Sequence, residues 1–77
     1  MPVLELTLGE VAYLRWEEAT GEVLQMWTAE PLRRQGIMRT LWMQALPLGV
    51  RHSAWRTDDG DAFARAVGGE LPPRKHA

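Results

Sequence analysis

From Gln25 to Trp42 the chain reads Gln-Met-Trp-Thr-Ala-Glu-Pro-Leu-Arg-Arg-Gln-Gly-Ile-Met-Arg-Thr-Leu-Trp. Two adjacent arginines, Arg33 and Arg34, precede Gly36, and Ile37, Leu41 and Ala45 then recur at helical spacing. The first turn of a helix carries N–H groups without helical partners and a partial positive charge. A glycine there lets a ligand approach the main chain closely. Arginines add full charge and forked donors. Together these features suit a phosphate or a pyrophosphate. The same residue types also make an ordinary strand-to-helix connection with solvated arginines, and residue chemistry alone leaves both readings open.

The elements that must hold this turn can be read from periodicity. Val3–Leu8 alternates, with Leu4, Leu6 and Leu8 on one face, as a half-buried strand does. Val11–Glu17 alternates again, with Ala12, Leu14 and Trp16 opposite Val11, Tyr13 and Arg15. A polar turn, Glu18-Ala19-Thr20-Gly21, leads to a third strand over Glu22–Thr28. The period then changes and predicts an amphipathic helix over about Arg34 to Ala45, ended by Pro47 and Gly49. His52–Arg56 reads as a short strand, parallel to the third by a right-handed crossover. Asp58 and Asp59 are N-cap candidates for a helix over Gly60–Val67, which Gly68-Gly69 stops. Residues 70–77, with Pro72-Pro73, read as an extended or loose tail. The expected fold is therefore a small α/β (α+β) domain: a three-stranded antiparallel meander, then helix, strand and helix, in a mixed sheet.

Seventy-seven residues argue for one domain, 1–77. A chain this short buries roughly 60% of its surface on folding, so its four Trp and four Met are a large apolar supply. A second copy is expected to cover part of it, as a homodimer. The net charge of −1 conceals segregation: residues 1–30 carry −5, residues 31–56 carry +5 without one acid, and the remainder −1. The basic middle is an electrostatic footprint for an anion. Nucleic acid ranks low as that anion, because five arginines stand beside a single Lys in the tail and the total charge is slightly negative. There is no cysteine, which excludes disulfides, a thiolate nucleophile and cysteine-ligated zinc. His52 and His76 are too few for a histidine metal site. Asp58, Asp59 and Asp61 are better explained by helix capping than by a cation. With neither a signal pattern nor an apolar run approaching ~18 residues, a soluble cytoplasmic protein without a membrane span is expected.

Arg33-Arg34-Gln35-Gly36-Ile37-Met38 resembles the Arg/Gln-x-x-Gly-x-Gly/Ala motif of the GNAT N-acetyltransferases. In that family the motif follows the fourth strand and opens the third helix. His52-Ser53, Arg56-Thr57 and Gly60 to Gly69 resemble the family's next strand, next helix and closing glycine turn. The resemblance covers about residues 11–73. It implies a minimal member lacking the N-terminal strand and two helices, with acetyl-CoA as co-substrate. The backbone of Met26, Trp27 and Thr28 would pair with the pantetheine arm. The amides from Arg34 through Gln35, Gly36, Ile37 and Met38 to Arg39 would hold the pyrophosphate, with Arg33 beside them. Met38 stands where the family has a small residue, so its side chain either crowds the phosphates or turns into the core.

The reaction implied is acetyl transfer from a thioester to an amine, which needs a base, a polarised carbonyl and an acid for the leaving thiolate. Glu22 and Glu30 are the candidate bases, Tyr13 the candidate acid, and Ser53 a hydrogen-bonding partner for acceptor or cofactor. For each of these four, an ordinary surface or packing role is the plainer reading. Trp16, Trp27, Trp42 and Trp55 are read as core, with Trp27 or Trp42 placed to pack on the cofactor or on a partner. Two functions follow: an acetyl-CoA-dependent N-acetyltransferase acting on an amine, or an inactive scaffold of the same fold that binds a protein partner.

Overall fold

The computed structural model describes residues 2–33 and 35–75. Strands β1 (Val3–Leu8), β2 (Ala12–Glu17) and β3 (Val23–Thr28) pair antiparallel in the order β1-β2-β3. The register sets Leu4 opposite Trp16 and Leu6 opposite Leu14, and Leu14 opposite Met26 across the second ladder. Alternation thus gathers the apolar residues on one face, as the period of two requires. A register shift beside Trp16 lets Val23 and Leu24 oppose one residue of β2, which is a bulge near the start of β3.

Helix α1 (Ile37–Ala45) covers that face. Its Leu41, Trp42 and Ala45 join Ala12, Leu14, Trp16 and Val50 in the buried core, with Ile37, Met38, Phe63 and Val67 packed around them. Helix α2 (Asp58–Val67) packs Phe63 and Val67 against the core, its Phe63 ring meeting Trp42 edge-on at 5.8 Å. The opposite sheet face carries Tyr13 stacked on Trp27 at 5.7 Å. Above Tyr13 lies Arg15, paired with Glu5 and donating to Gln25 Oε1.

The expected fourth strand, His52–Arg56, does not form. What remains is two isolated parallel bridges, Glu22 with Arg51 and Trp55 with Lys75: Arg51 N–H donates to Gly21 O at 2.7 Å, and Val23 N–H to Arg51 O at 2.9 Å. Beyond Arg51, local bonds replace the ladder. Ser53 Oγ accepts from Trp55 N–H, and the Arg56 guanidinium donates to Ser53 O. Such side-chain to backbone bonds compete directly with strand pairing. The named sheet is therefore purely antiparallel, not mixed.

The tail is also tied down where it is described. Lys75 N–H donates to Ala54 O at 2.7 Å, and Arg74 donates to Arg56 O and Asp58. Residues 76 and 77 lie outside the described residues. Helix α2 begins at Asp58, two residues before the expected Gly60, and Thr57 is its cap in place of Asp58 or Asp59. Thr57 has extended backbone and its Oγ1 accepts from Gly60 N–H at 3.1 Å. No helix among the described residues is long and apolar enough to cross a membrane.

Asp61 in the first turn of α2 accepts from Arg65 Nε at 2.9 Å and from Arg56 Nε at 3.0 Å. These two bonds hold its carboxyl below the ordinary carboxylate range. A carboxyl lowered by folding stabilises the fold at every pH above its unfolded value, about 3.9. That stabilisation fades as pH falls through the lower folded value. Asp61→Asn is therefore expected to lower stability most at neutral pH, and the deficit is expected to shrink below about pH 4. Urea titrations of both proteins at several pH values check this; a deficit independent of pH would contradict it.

Candidate functional site

The connection between β3 and α1 contains a 3-10 turn at Glu30–Leu32, then Arg33 in extended backbone. Arg33 Nε donates back to Thr28 O at 3.0 Å, and Gln35 Nε2 to Pro31 O at 3.4 Å. Gly36 is the N-cap of α1, in the left-handed region at φ 77°. That conformation ends the loop and starts the helix at Ile37, three residues later than the periodicity predicted. Arg34 lies outside the described residues. The first-turn amides are consequently those of Ile37, Met38 and Arg39, which no carbonyl of the helix can reach.

This helix start is electrostatically bare. No side chain caps it and its first turn holds no acid. Arg33 and Arg39 are both exposed beside it. Among the described residues, a Cβ built on Gly36 would meet nothing within 4 Å. Met38 turns inward and packs against the core, leaving the amides uncrowded. Helix α2 is the contrasting case, capped by Thr57 and carrying Asp58, Asp59 and Asp61 in its first turn. The charge segregation of the sequence thus appears in space as one positive and one neutralised helix start.

The outer edge of β3, bonded at one end by Arg33 to Thr28 O and at the other by Val23 N–H to Arg51 O, runs from this turn toward Glu22. Ala29 N–H donates to Val11 O, and main-chain groups alternate in direction along a strand. With Tyr13 opposite Trp27 and Arg15 opposite Gln25, the amides of Trp27 and Gln25 face β2. Met26 and Thr28 therefore turn their N–H groups to the outer edge. The N–H of Trp27, between them, faces β2. Its indole lies on the far sheet face, 39% exposed. Trp42 is buried in the core, 3% exposed.

At the other end of β3, roughly 20 Å away for a strand of six residues, two of the four candidate catalytic groups meet. Ser53 Oγ donates to Glu22 Oε1 at 2.8 Å while accepting from Trp55 N–H at 3.0 Å. Glu22 is half-buried and Ser53 buried. Tyr13, on the far face, and Glu30, exposed in the 3-10 turn, do not join them. His52 is buried as well, its ring stacked on Trp42 at 4.3 Å and Nε2 2.9 Å from Gly68 O. No group of three potential metal ligands occurs among the described residues.

Glu22 borders a recess of about 270 Å³ that also takes in Thr20, Arg51, Trp55, Pro72 and Lys75. A second recess of about 310 Å³ lies between Trp42, Leu46, Val67 and Gly69. Neither reaches the Gly36 turn, which is open surface. Trp55 and Trp27, expected from the sequence in the core, are 58% and 39% exposed, the first at the rim of this recess and the second on the far sheet face; Arg51 and Lys75 count in the sequence only as charges. The recess draws on three stretches far apart in the chain, and no local pattern joins them.

No family model, curated protein or solved structure matches this chain. Function rests on the site geometry and on the motif resemblance.

Proposed function

We propose that this is a minimal GNAT-like domain that binds acetyl-CoA and transfers its acetyl group to an amine. The observation that carries the reading is the bare start of α1: three free amides, a left-handed glycine and two flanking arginines, with no acid and no side-chain cap. Backbone N–H groups and the helix dipole there favour a diphosphate. The outer edge of β3 supports the rest of the reading, since Thr28 and Met26 can donate to an extended amide-bearing arm. That arm leads toward the bulge and the Glu22–Ser53 pair.

In this reading the amine nitrogen attacks the thioester carbonyl. Its N–C bond forms as the C–S bond breaks, and the thiolate leaves. Glu22 accepts the proton that the ammonium must first lose, with Ser53 Oγ fixing the carboxylate. The second proton of the attacking nitrogen leaves as the amide forms and passes through solvent to the thiolate, because no tyrosine lies near.

The direct test is calorimetric titration with acetyl-CoA. Arg39→Glu separates binding from folding. A carboxylate in the first turn of α1 favours the helix by about 0.3–1 kcal/mol, yet it opposes a phosphate. The expected result is an unchanged or raised melting temperature with affinity reduced roughly tenfold to hundredfold. Absence of binding at millimolar acetyl-CoA would overturn the reading.

One observation favours the second reading, a non-catalytic binding domain. The sheet face bearing Tyr13, Trp27 and Arg15 has no helix over it among the described residues. That reading expects acetyl-CoA to bind without turnover, or not at all.

A further inference from the structure

The 270 Å³ recess holds charges of both signs that do not satisfy one another. Glu22, Arg51 and Lys75 all border it, and none takes part in an ion pair within 4 Å among the described residues. Glu22 is held at its carboxylate, Arg51 and Lys75 through their main chains. Ser53 fixes the Glu22 carboxylate at 2.8 Å. Arg51 is anchored by its main chain to Gly21 and Val23. Lys75 is anchored to Ala54 O, with its Nζ 5.7 Å from the centre of the Trp55 ring. Trp55 is 58% exposed, an apolar plate at the rim.

One carboxylate, two cations and an exposed indole around one small volume define a complementary ligand. It carries an ammonium for Glu22, a carboxylate for Arg51 and Lys75, and an apolar group for Trp55. The volume falls just short of the ~300 Å³ at which pockets for drug-sized ligands begin, so the ligand is a small molecule. We infer that this recess binds a free α-amino acid with an apolar or aromatic side chain. On the acetyl-transfer reading, which this inference deepens, that amino acid is the acceptor and its α-amine faces Glu22. Its binding does not depend on acetyl-CoA, so the two claims fail separately.

The probes are L-phenylalanine, L-phenylalaninamide and N-acetyl-L-phenylalanine, titrated into the full chain without acetyl-CoA and followed by NMR chemical shifts. L-Phenylalanine is expected to bind, with the amide and the N-acetyl compound each at least about tenfold weaker, the loss of one charged partner. Lys75→Ala is expected to weaken L-phenylalanine but not the amide. Glu22→Gln keeps an acceptor for Ser53 and is expected to weaken the amide as well. Equal affinity for all three probes, or no shift at residues 22, 51 or 55, would overturn the inference. Binding of L-phenylalanine by a chain that fails to bind acetyl-CoA would uphold the recess and remove its role as acceptor site.

Discussion

Gly21→Ala is expected to lower the melting temperature by about 10–25 °C, roughly twice the loss from Gly36→Ala. The two glycines have almost the same backbone, φ 78° and φ 77°. A side chain in that region costs about 1–2 kcal/mol at either position. Their surroundings differ. Among the described residues a Cβ at Gly36 meets nothing within 4 Å, but at Gly21 it would overlap the carbonyl oxygen of Gly49 and lie 3.3 Å from Arg51 Cγ. Both neighbours are tied: Arg51 N–H donates to Gly21 O and Gly49 N–H to Leu46 O. To admit the methyl group, the β2–β3 turn and the segment after α1 must part, which breaks the bridge at Arg51. Backbone strain plus one or two lost hydrogen bonds amounts to about 2–4 kcal/mol. For a domain of this size each kcal/mol is worth about 4–8 °C. Thermal denaturation of the two variants side by side gives the answer, and equal losses would show that Gly21 and Gly49 are not packed as described. The same substitution is expected to weaken the recess, because the bridge that fails is the one that positions Arg51.

How far these features were legible in the sequence depended on whether one residue's neighbours along the chain decide its position. Leu4, Leu6, Leu14 and Trp16 follow a period of two, and they lie on the buried sheet face. Leu41 and Ala45 follow the helical period and are buried in α1. The start of α1 was set instead by Gly36 entering the left-handed region, which periodicity does not register. Thr57, Asp58 and Asp59 are all capping residue types, and only the extended backbone of Thr57 and its bond to Gly60 distinguish them. Residues 52–56 have strand-like composition, but Ser53 and Arg56 satisfied the local backbone with side-chain bonds, and the strand was lost. The pairing of Glu22 with Ser53 across 31 positions, and the recess beside it, needed the crossover through α1 to exist. Sequence proximity holds no trace of it.

Trp42→Ala is expected to lose about 3–5 kcal/mol of stability, while Trp55→Ala stays within about 0.5 kcal/mol of the parent. Trp42 is 3% exposed and stacks on His52 with an interplanar angle of 12°. Its other edge receives Phe63 of α2. One side chain therefore joins α1 to the 50–53 segment and to the second helix. Removing a buried Trp costs about 3–5 kcal/mol, and a chain of 77 residues at 0.05–0.15 kcal/mol per residue has only about 4–12 kcal/mol to lose. Trp42→Phe keeps a ring against His52 and is expected to fold with a lowered midpoint. Trp55 lies at the rim of the recess, 58% exposed, so its truncation removes little buried surface. Its expected effect is on ligand affinity instead. Urea denaturation of the three variants, with L-phenylalanine titration of Trp55→Ala, separates the tryptophan that holds the domain together from the one that faces its ligand. A Trp42→Ala protein within 1 kcal/mol of the parent would mean that α2 is held to the rest of the chain by something other than this stack.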